Sequence, residues 1–130
     1  MKYPTNTHYS AHFTLRELDC HCGCDTPPEV AANLVVLADS LEALRTRLGS
    51  TPLHINSGYR CPSYNKRIKG AVQSQHMLGK AADLSGRKAN PESIAKAAEF
   101  VAAFKHGGIG RYATFTHVDV RTGAARWNGL

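Results

Sequence analysis

One amphipathic stripe in the first half of the chain limits the fold more than any other feature of the sequence. Aliphatic residues recur there at steps of four and three, the spacing of one helical face, at Val30, Leu34, Leu37, Leu41, Leu44 and Leu48. Thr26 and Glu29 have capping-box spacing, with Pro27 at the first helical position, and Gly49 suits the end of the helix. The pattern predicts a helix over residues 26–48 that buries one face against a core.

Shorter elements follow in mixed order. A second helix is predicted from Asn90, as N-cap, to about Lys105, and a short one from Cys61-Pro62 to Gly70. The helix that starts at Asn90 is expected to bury Ile94, Ala98, Val101 and Phe104. Four runs have β character, at residues 53–57, 81–84, 108–111 and 115–121. Helices mixed with a small sheet predict an α+β fold.

The length and composition limit the organisation of the chain. With 130 residues, 42% of them hydrophobic, and with no internal repeat, residues 1–130 are expected to form a single domain with a real core. No apolar run approaches the roughly 20 residues that cross a bilayer. The opening residues MKYPTNTHYSAH are polar, so we expect neither membrane insertion nor a signal peptide.

The net charge of +6 favours polyanionic surfaces in general. Nucleic acid, cell-wall polymers and phospholipid all qualify. The basic residues are scattered, apart from a local cluster at residues 66–69, and they outline no nucleic-acid reading motif. We therefore expect no specific nucleic-acid partner.

The strand predicted over residues 115–121 orients two polar side chains together. With a period of two, Val118 shares one face with Thr116 and Val120, and His117 shares the other face with Asp119 and Arg121. The same period in residues 81–84 places Asp83 opposite the apolar side chains of its strand. Two strands with apolar backs are thus expected to present Asp83 and His117 to one cleft.

A second imidazole precedes Asp83 by seven positions. A turn at Gly79 could bring His76 and Asp83 onto one ion. Two imidazoles and one carboxylate suit zinc, and three protein ligands leave the fourth tetrahedral position open for catalysis. Each histidine alone would be an ordinary core or surface residue, which is the interpretation kept for His8, His12, His54 and His106.

These segments resemble a known family. The segment SQHMLGKAAD at residues 74–83, with SGYR at 57–60 and FTHVD at 115–119, is similar to the zinc peptidases of the D-alanyl-D-alanine carboxypeptidase and L-alanyl-D-glutamate endopeptidase group. The resemblance extends from HFTLREL at residues 12–18 to Trp127. It implies the fold shared with lysostaphin-type peptidases and the hedgehog signalling domain, a small antiparallel sheet with flanking helices.

The resemblance also implies roles for individual residues. His76, Asp83 and His117 would hold one catalytic Zn2+, and Arg60 would polarise or anchor the substrate carbonyl or carboxylate. Ser74 would bind the peptide, and we place Tyr112 with the substrate-contacting residues, with packing as its alternative. The implied reaction is hydrolysis of peptidoglycan stem or cross-bridge peptides.

The general base departs from the family pattern. Many relatives have a carboxylate three positions before the last zinc histidine, where this chain has Thr114, which takes up no proton at neutral pH. Asp119, two residues after His117, is the best remaining carboxylate and is our candidate for the catalytic base. The alternative is that Asp119 orients His117.

Four cysteines leave several arrangements open. Cys20, Cys22 and Cys24 alternate along the chain, and Cys61 follows Arg60. They could form two disulfides or a structural zinc site with or without His21, and Cys61 could also pair with one N-terminal cysteine. A chain that folds in a reducing cytoplasm favours metal or free thiols.

Three functions are consistent with these features. The first is a monomeric bacteriophage endolysin, made in the host cytoplasm and released to the cell wall or periplasm, with a peptidoglycan peptide as its partner. The second is a zinc-containing module for wall binding or signalling without catalysis, which Thr114 keeps open. A basic nucleic-acid binder is the third, and the lack of a reading motif counts against it.

Overall fold

The computed structural model describes residues 7–129. Its strands are β1 His8–Ser10, β2 Phe13–Thr14, β3 His54–Ser57, β4 Ala81–Ser85, β5 Gly108–Arg111, β6 Thr116–Asp119 and β7 Ala125–Asn128. Its helices are α1 Leu15–Leu18, α2 Pro28–Arg47, α3 Pro62–Arg67, α4 Pro91–Ala98 and α5 Ala102–Lys105, with a single 3-10 turn at Gln75–Leu78. The predicted α+β class is confirmed.

Five strands form the main sheet in the order β3-β4-β6-β5-β7. The first three pairings are antiparallel, as expected, and β7 joins β5 in parallel at the edge. Strands β1 and β2 form a separate antiparallel pair. Since β4 and β6 are neighbours with Asp83 opposite His117, the centre of the sheet brings the two predicted cleft residues side by side.

The core lies between one face of this sheet and the helices. From the sheet, Leu84, Ile109 and Val118 are fully buried. The predicted stripe of α2 is buried from Val30 to Leu44, and α4 and α5 pack against the sheet through Ile94 and Phe104. The helices thus cover the apolar face, which leaves the opposite face to present polar side chains.

The start of α2 corrects the sequence prediction. Pro27 is the N-cap and makes no side-chain capping bond, and Pro28 takes the first helical position. Thr26 stands one residue too early to cap, and its buried hydroxyl has no hydrogen-bond partner among residues 7–129. The predicted capping box of Thr26 and Glu29 is therefore wrong, although the helix it was meant to begin is present.

The second predicted helix is two helices. Asn90 caps α4 through the amide of Ser93, as predicted, but the helix ends at Ala98 and resumes at Ala102. Val101 between them has extended backbone angles and still reaches the core. The break has no signal in the sequence because the apolar spacing continues across it.

No helix in residues 7–129 is both long enough and apolar enough to cross a membrane.

Candidate metal centre

Three buried side chains meet on the polar face of the sheet. Asp83 and His117 are opposite each other on β4 and β6, and Oδ1 of Asp83 lies 3.1 Å from Nδ1 of His117. His76, in the 3-10 turn before β4, places its Nε2 at 3.2 Å from the same oxygen. The three donors predicted from the sequence therefore face a common point.

The chain positions His76 through its own local structure. Ser74 caps the 3-10 turn, and its hydroxyl accepts a hydrogen bond from the amide of His76. Gly79 ends the turn with a φ of 73°, a conformation that favours glycine, and leads directly into β4. The sequence predicts this turn. It brings His76 and Asp83 together in space although they are seven positions apart in the chain.

A backbone carbonyl fixes the ring of His76. Nδ1 donates to the carbonyl oxygen of Gly58 at 2.7 Å, so Nε2 is left as the acceptor that faces Asp83. Gly58 approaches α1 so closely that a Cβ there would lie 2.5 Å from the carbonyl oxygen of Leu18. Only glycine therefore fits where this carbonyl is needed.

Asp119 holds the other side of His117. Its Oδ2 accepts a hydrogen bond from Nε2 of His117 at 2.7 Å. Arg121 donates to both carboxylate oxygens and the amide of Gly108 to one of them. Asp119 is fully buried, so its carboxylate is saturated with donors and turned toward the back of the imidazole.

Arg60 holds the carboxylate of Asp83 in place. Its Nη2 donates to Oδ2 of Asp83 at 3.0 Å and its Nε to Oγ of Ser57 at 2.9 Å. The second oxygen of Asp83 is thereby occupied, which leaves Oδ1 directed at the two imidazoles. Arg60 thus lies beside the centre, where it makes one hydrogen bond to Asp83 and others to Ser57 and Asn65.

The protonation states suit a cation. Burial disfavours the ionised form of Asp83, but hydrogen bonds with His117 and His76 outweigh it and hold the pKa of this carboxyl well below its usual range. Burial lowers the pKa of His76. Burial also opposes protonation of His117, yet hydrogen bonds with Asp119 and Asp83 raise its pKa. An ionised aspartate thus faces one imidazole that burial keeps neutral, His76, and one beside which a positive charge is favoured, His117.

These residues fit zinc by the chemistry of the donor set. Each of the three residues offers a ligand atom within 4.8 Å of the other two, and Nε2 of His76 and Nδ1 of His117 both face Oδ1 of Asp83. Each histidine donates its other ring N–H to a carbonyl or carboxylate, which is the usual arrangement behind zinc-bound imidazoles. Three protein ligands and an adjoining cavity match an open, catalytic type of zinc site.

A cavity of about 570 Å³ opens over the three side chains. Tyr112 and Phe115 stack at 4.3 Å on one wall, and the indole N–H of Trp127 donates to the Tyr112 hydroxyl. The ring of Trp127 lies 4.9 Å from that of His117. Arg121 also lines the opening, so the cavity combines an aromatic wall with cationic side chains.

The predicted site residues do not all reach this cavity. Arg60, Ser74 and Tyr112 line it together with the three metal-ligand candidates. Asp119 is not among the described residues that do, and Thr114 is exposed in the turn before β6. Apart from Asp83, no carboxylate of residues 7–129 lines the opening.

Sequence reasoning missed other members of the site. Gly58 acts through a backbone atom, which no side-chain pattern reveals. Arg121 was placed on the polar face but given no role, and Phe115 was not singled out. The sequence favours a core position for Trp127, with the cleft as the alternative, but on β7 its ring lines the cavity. Strand β7 itself, a short edge strand, was not predicted.

Comparison with known proteins agrees with this geometry. The pattern of the peptidase M15 family matches residues 10–119. Over 93 residues the chain is 33% identical to the zinc D-Ala-D-Ala carboxypeptidase of Streptomyces albus G. The alignment covers 67% of this chain and 36% of that relative, so the chain spans only about a third of the curated protein.

Proposed function

Because the chain belongs to the peptidase M15 family, we propose that it is a zinc metallopeptidase that hydrolyses bacterial peptidoglycan peptides. The observation that carries this proposal is the convergence of His76, Asp83 and His117 at the floor of one open cavity. The metal would be a single catalytic Zn2+ held by these three side chains.

The residues around the centre have separable tasks. Bound zinc would supply a Lewis acid and a means of deprotonating water near neutral pH. Arg60 donates to Oδ2 of Asp83 and so keeps Oδ1 directed at the imidazoles, and it lines the cavity, where it can stabilise charge on a substrate carbonyl or carboxylate. Ser74 and Tyr112, which line the same cavity, offer hydroxyl groups to a bound peptide.

Asp119 has two candidate roles. As the general base, which remains our prediction from the sequence, it would have to accept a proton from the cavity. Hydrogen bonds with His117 and Arg121 outweigh the effect of burial and depress its pKa, which makes it a poor acceptor near neutral pH. Its contacts favour the alternative, in which Asp119 orients His117 and fixes the tautomer that leaves Nδ1 free to bind a metal.

The bond cleaved is expected to lie in the stem or cross-bridge peptides. The name of the Streptomyces albus G relative supports D-Ala-D-Ala carboxypeptidase activity, and the family resemblance adds peptidoglycan endopeptidase activity as the alternative. The net charge of +6 suits an anionic wall polymer.

Mass spectrometry of fragments released from purified peptidoglycan tests the proposal. We expect zinc-dependent release of one defined product, lost with a chelator or with His76→Ala. His54→Ala is the matched control, because His54 is exposed on β3 outside the cavity. Release that persists in His76→Ala, or with zinc removed, would exclude this site as the catalyst.

A second function is a zinc-containing module that binds the wall or signals without catalysis. Thr114 and the lack of a free carboxylate among the described cavity residues favour it. In that case the protein with zinc bound would sediment with peptidoglycan and His76→Ala would not, while no fragment would be released.

The biological setting is also a proposal. We infer one catalytic domain over residues 1–130, acting as a monomer in phage-induced lysis, from the host cytoplasm onto the wall. Adding the protein to permeabilised bacteria should reduce turbidity, and chelator should prevent the loss. Cleavage of purified peptidoglycan without lysis of permeabilised cells would instead support a remodelling role.

A further inference from the structure

Four cysteine side chains form a second cluster away from the cavity. Cys20, Cys22 and Cys24 lie in the loop between α1 and α2, and Cys61 is the N-cap of α3. None of the four is in a disulfide. Their sulfur atoms all lie within 4.8 Å of one another, and we call this group the thiol cluster.

The distances in the thiol cluster match one tetrahedral ion. Sγ of Cys22 is 3.3 Å from that of Cys20 and 3.6 Å from that of Cys61. A tetrahedron with zinc–sulfur bonds of about 2.3 Å has sulfur–sulfur edges of about 3.8 Å. Disulfides join sulfurs in pairs at about 2 Å and give no reason for all four to share one centre.

The backbone around the thiol cluster is arranged for thiolates. The amide of Cys24 donates to Sγ of Cys22 and the amide of Cys61 to Sγ of Cys20, both at 3.4 Å. Gly23, with a φ of 85°, allows the loop to reverse so that Cys22 and Cys24 face the same point. Amide donors directed at sulfur stabilise its ionised, metal-binding form.

From this geometry we propose that Cys20, Cys22, Cys24 and Cys61 bind a structural zinc ion. Four protein ligands close the coordination sphere, so this ion would have no open position and no catalytic part. His21 is exposed and outside the group. The geometry that supports this ion does not rest on the proposed peptidase activity.

The structural ion would restrain the chain segment next to the candidate metal centre. Cys61 directly follows Arg60, and the amide of Tyr59 donates to the carbonyl of Leu18 in α1. The same segment supplies the Gly58 carbonyl to Nδ1 of His76, and its Arg60 amide donates to the carbonyl of His76. Fixing the cysteine loop to Cys61 therefore restrains the segment that orients His76 and Arg60.

Metal analysis of the reduced protein purified with zinc tests this proposal. We expect two zinc ions per chain, and we expect p-hydroxymercuribenzoate, which reacts with thiols, to release one of them. Cobalt substitution should give a thiolate-to-cobalt charge-transfer absorption in the wild-type protein and in His76→Ala. These measurements need no cysteine variant, so a folding defect cannot obscure them.

The zinc content of variants shows which residues bind each of the two ions. Cys22→Ser and His76→Ala should each retain one zinc, and the double variant none, while His21→Ala is the matched control in the same loop and should retain two. A wild-type protein with one zinc and no thiolate-to-cobalt absorption would overturn the proposal. So would disulfides in protein purified without reductant, seen as a mass lower than that of the reduced chain by two hydrogen atoms for each disulfide. Either result would leave the peptidase proposal standing, and absent hydrolysis would leave the thiol-bound zinc standing.

Discussion

His117 divides its two ring nitrogens between two carboxylates. Nδ1 faces Asp83 in the metal centre and Nε2 donates to the buried Asp119. The second bond decides which nitrogen can bind a metal, because an imidazole that donates from Nε2 keeps Nδ1 free as a ligand. We therefore expect Asp119 to influence metal binding although it does not line the cavity.

Replacing Asp119 by Asn tests this role. The amide can donate toward Nε2 and favour the tautomer with a proton on Nδ1, so zinc affinity should fall by about 10- to 100-fold. Competition with a chelator of known affinity measures the change. Asp39→Asn, on the exposed face of α2, is the control for charge removal. Unchanged zinc affinity with hydrolysis lost would instead support the general-base role.

Arg60→Lys separates charge from geometry. Lysine keeps the positive charge but loses the fork that reaches both Asp83 and Ser57. We expect kcat/KM to fall by about 10-fold or more, and a rise in KM at constant zinc affinity would identify a substrate contact. Arg87→Lys, on an exposed turn, is the control. An unchanged kcat/KM would contradict any role for Arg60.

Gly110 makes room for the aromatic wall. A Cβ at this position would lie 2.5 Å from the ring of Trp127, so Gly110→Ala should displace the indole from His117. We expect a loss of about 1–3 kcal/mol in the free energy of unfolding and a changed tryptophan fluorescence. Gly86→Ala, whose Cβ would meet its nearest neighbour at 3.3 Å, should cost much less. Equal effects in the two variants would count against this packing.

An ion pair joins β7 to the end of α4, in addition to the pairing of β7 with β5. Arg126 of β7 donates to both carboxylate oxygens of Glu99, at 2.8 and 2.9 Å, and to the carbonyls of Lys105 and Gly107. The strand it secures carries Trp127 against the metal centre. Packing at the end of α4 is thus linked to the shape of the cavity.

This pair should make stability depend on pH. Hydrogen bonds from Arg126 hold the pKa of Glu99 below its usual range. The pair therefore stabilises the fold above the unfolded-state pKa of about 4.3 and loses this effect as the pH falls through the folded-state value. Glu99→Gln should be less stable than wild type by about 1 kcal/mol or less at pH 7, and the difference should shrink below about pH 4. Chemical denaturation across pH measures it, and a constant difference would contradict the assignment.

Sequence periodicity predicted the regular elements that have one apolar and one polar face. The α2 stripe, the Asn90 cap and the face shared by Asp83 and His117 follow from local spacing, and the structure has them. The break before α5 and the parallel addition of β7 to β5 depend on distant parts of the chain. Local spacing does not contain that information.

The candidate site divides in the same way. Side chains that would touch a metal have a recognisable type and spacing, which is why His76, Asp83 and His117 could be singled out together. The Gly58 carbonyl that orients His76 and the amide of Gly108 that binds Asp119 are backbone groups. Only the folded chain brings them into position.

Zinc binding should raise the free energy of unfolding of the whole protein. An ion that binds the native state and not the unfolded one adds about 4.1 kcal/mol at a free concentration 1,000 times Kd. Chelation should therefore lower the Tm of the wild-type protein, and it should lower that of His76→Ala by less. Equal shifts in the two proteins would mean that His76 holds no stabilising ion.

The proposed function depends on one zinc ion bound by His76, Asp83 and His117. An anomalous difference map, measured at the zinc absorption edge from crystals grown with excess zinc, shows directly whether that ion is present. We expect a peak within bonding distance of Nε2 of His76, Oδ1 of Asp83 and Nδ1 of His117. A map with zinc elsewhere on the protein and nothing between these three atoms would contradict it.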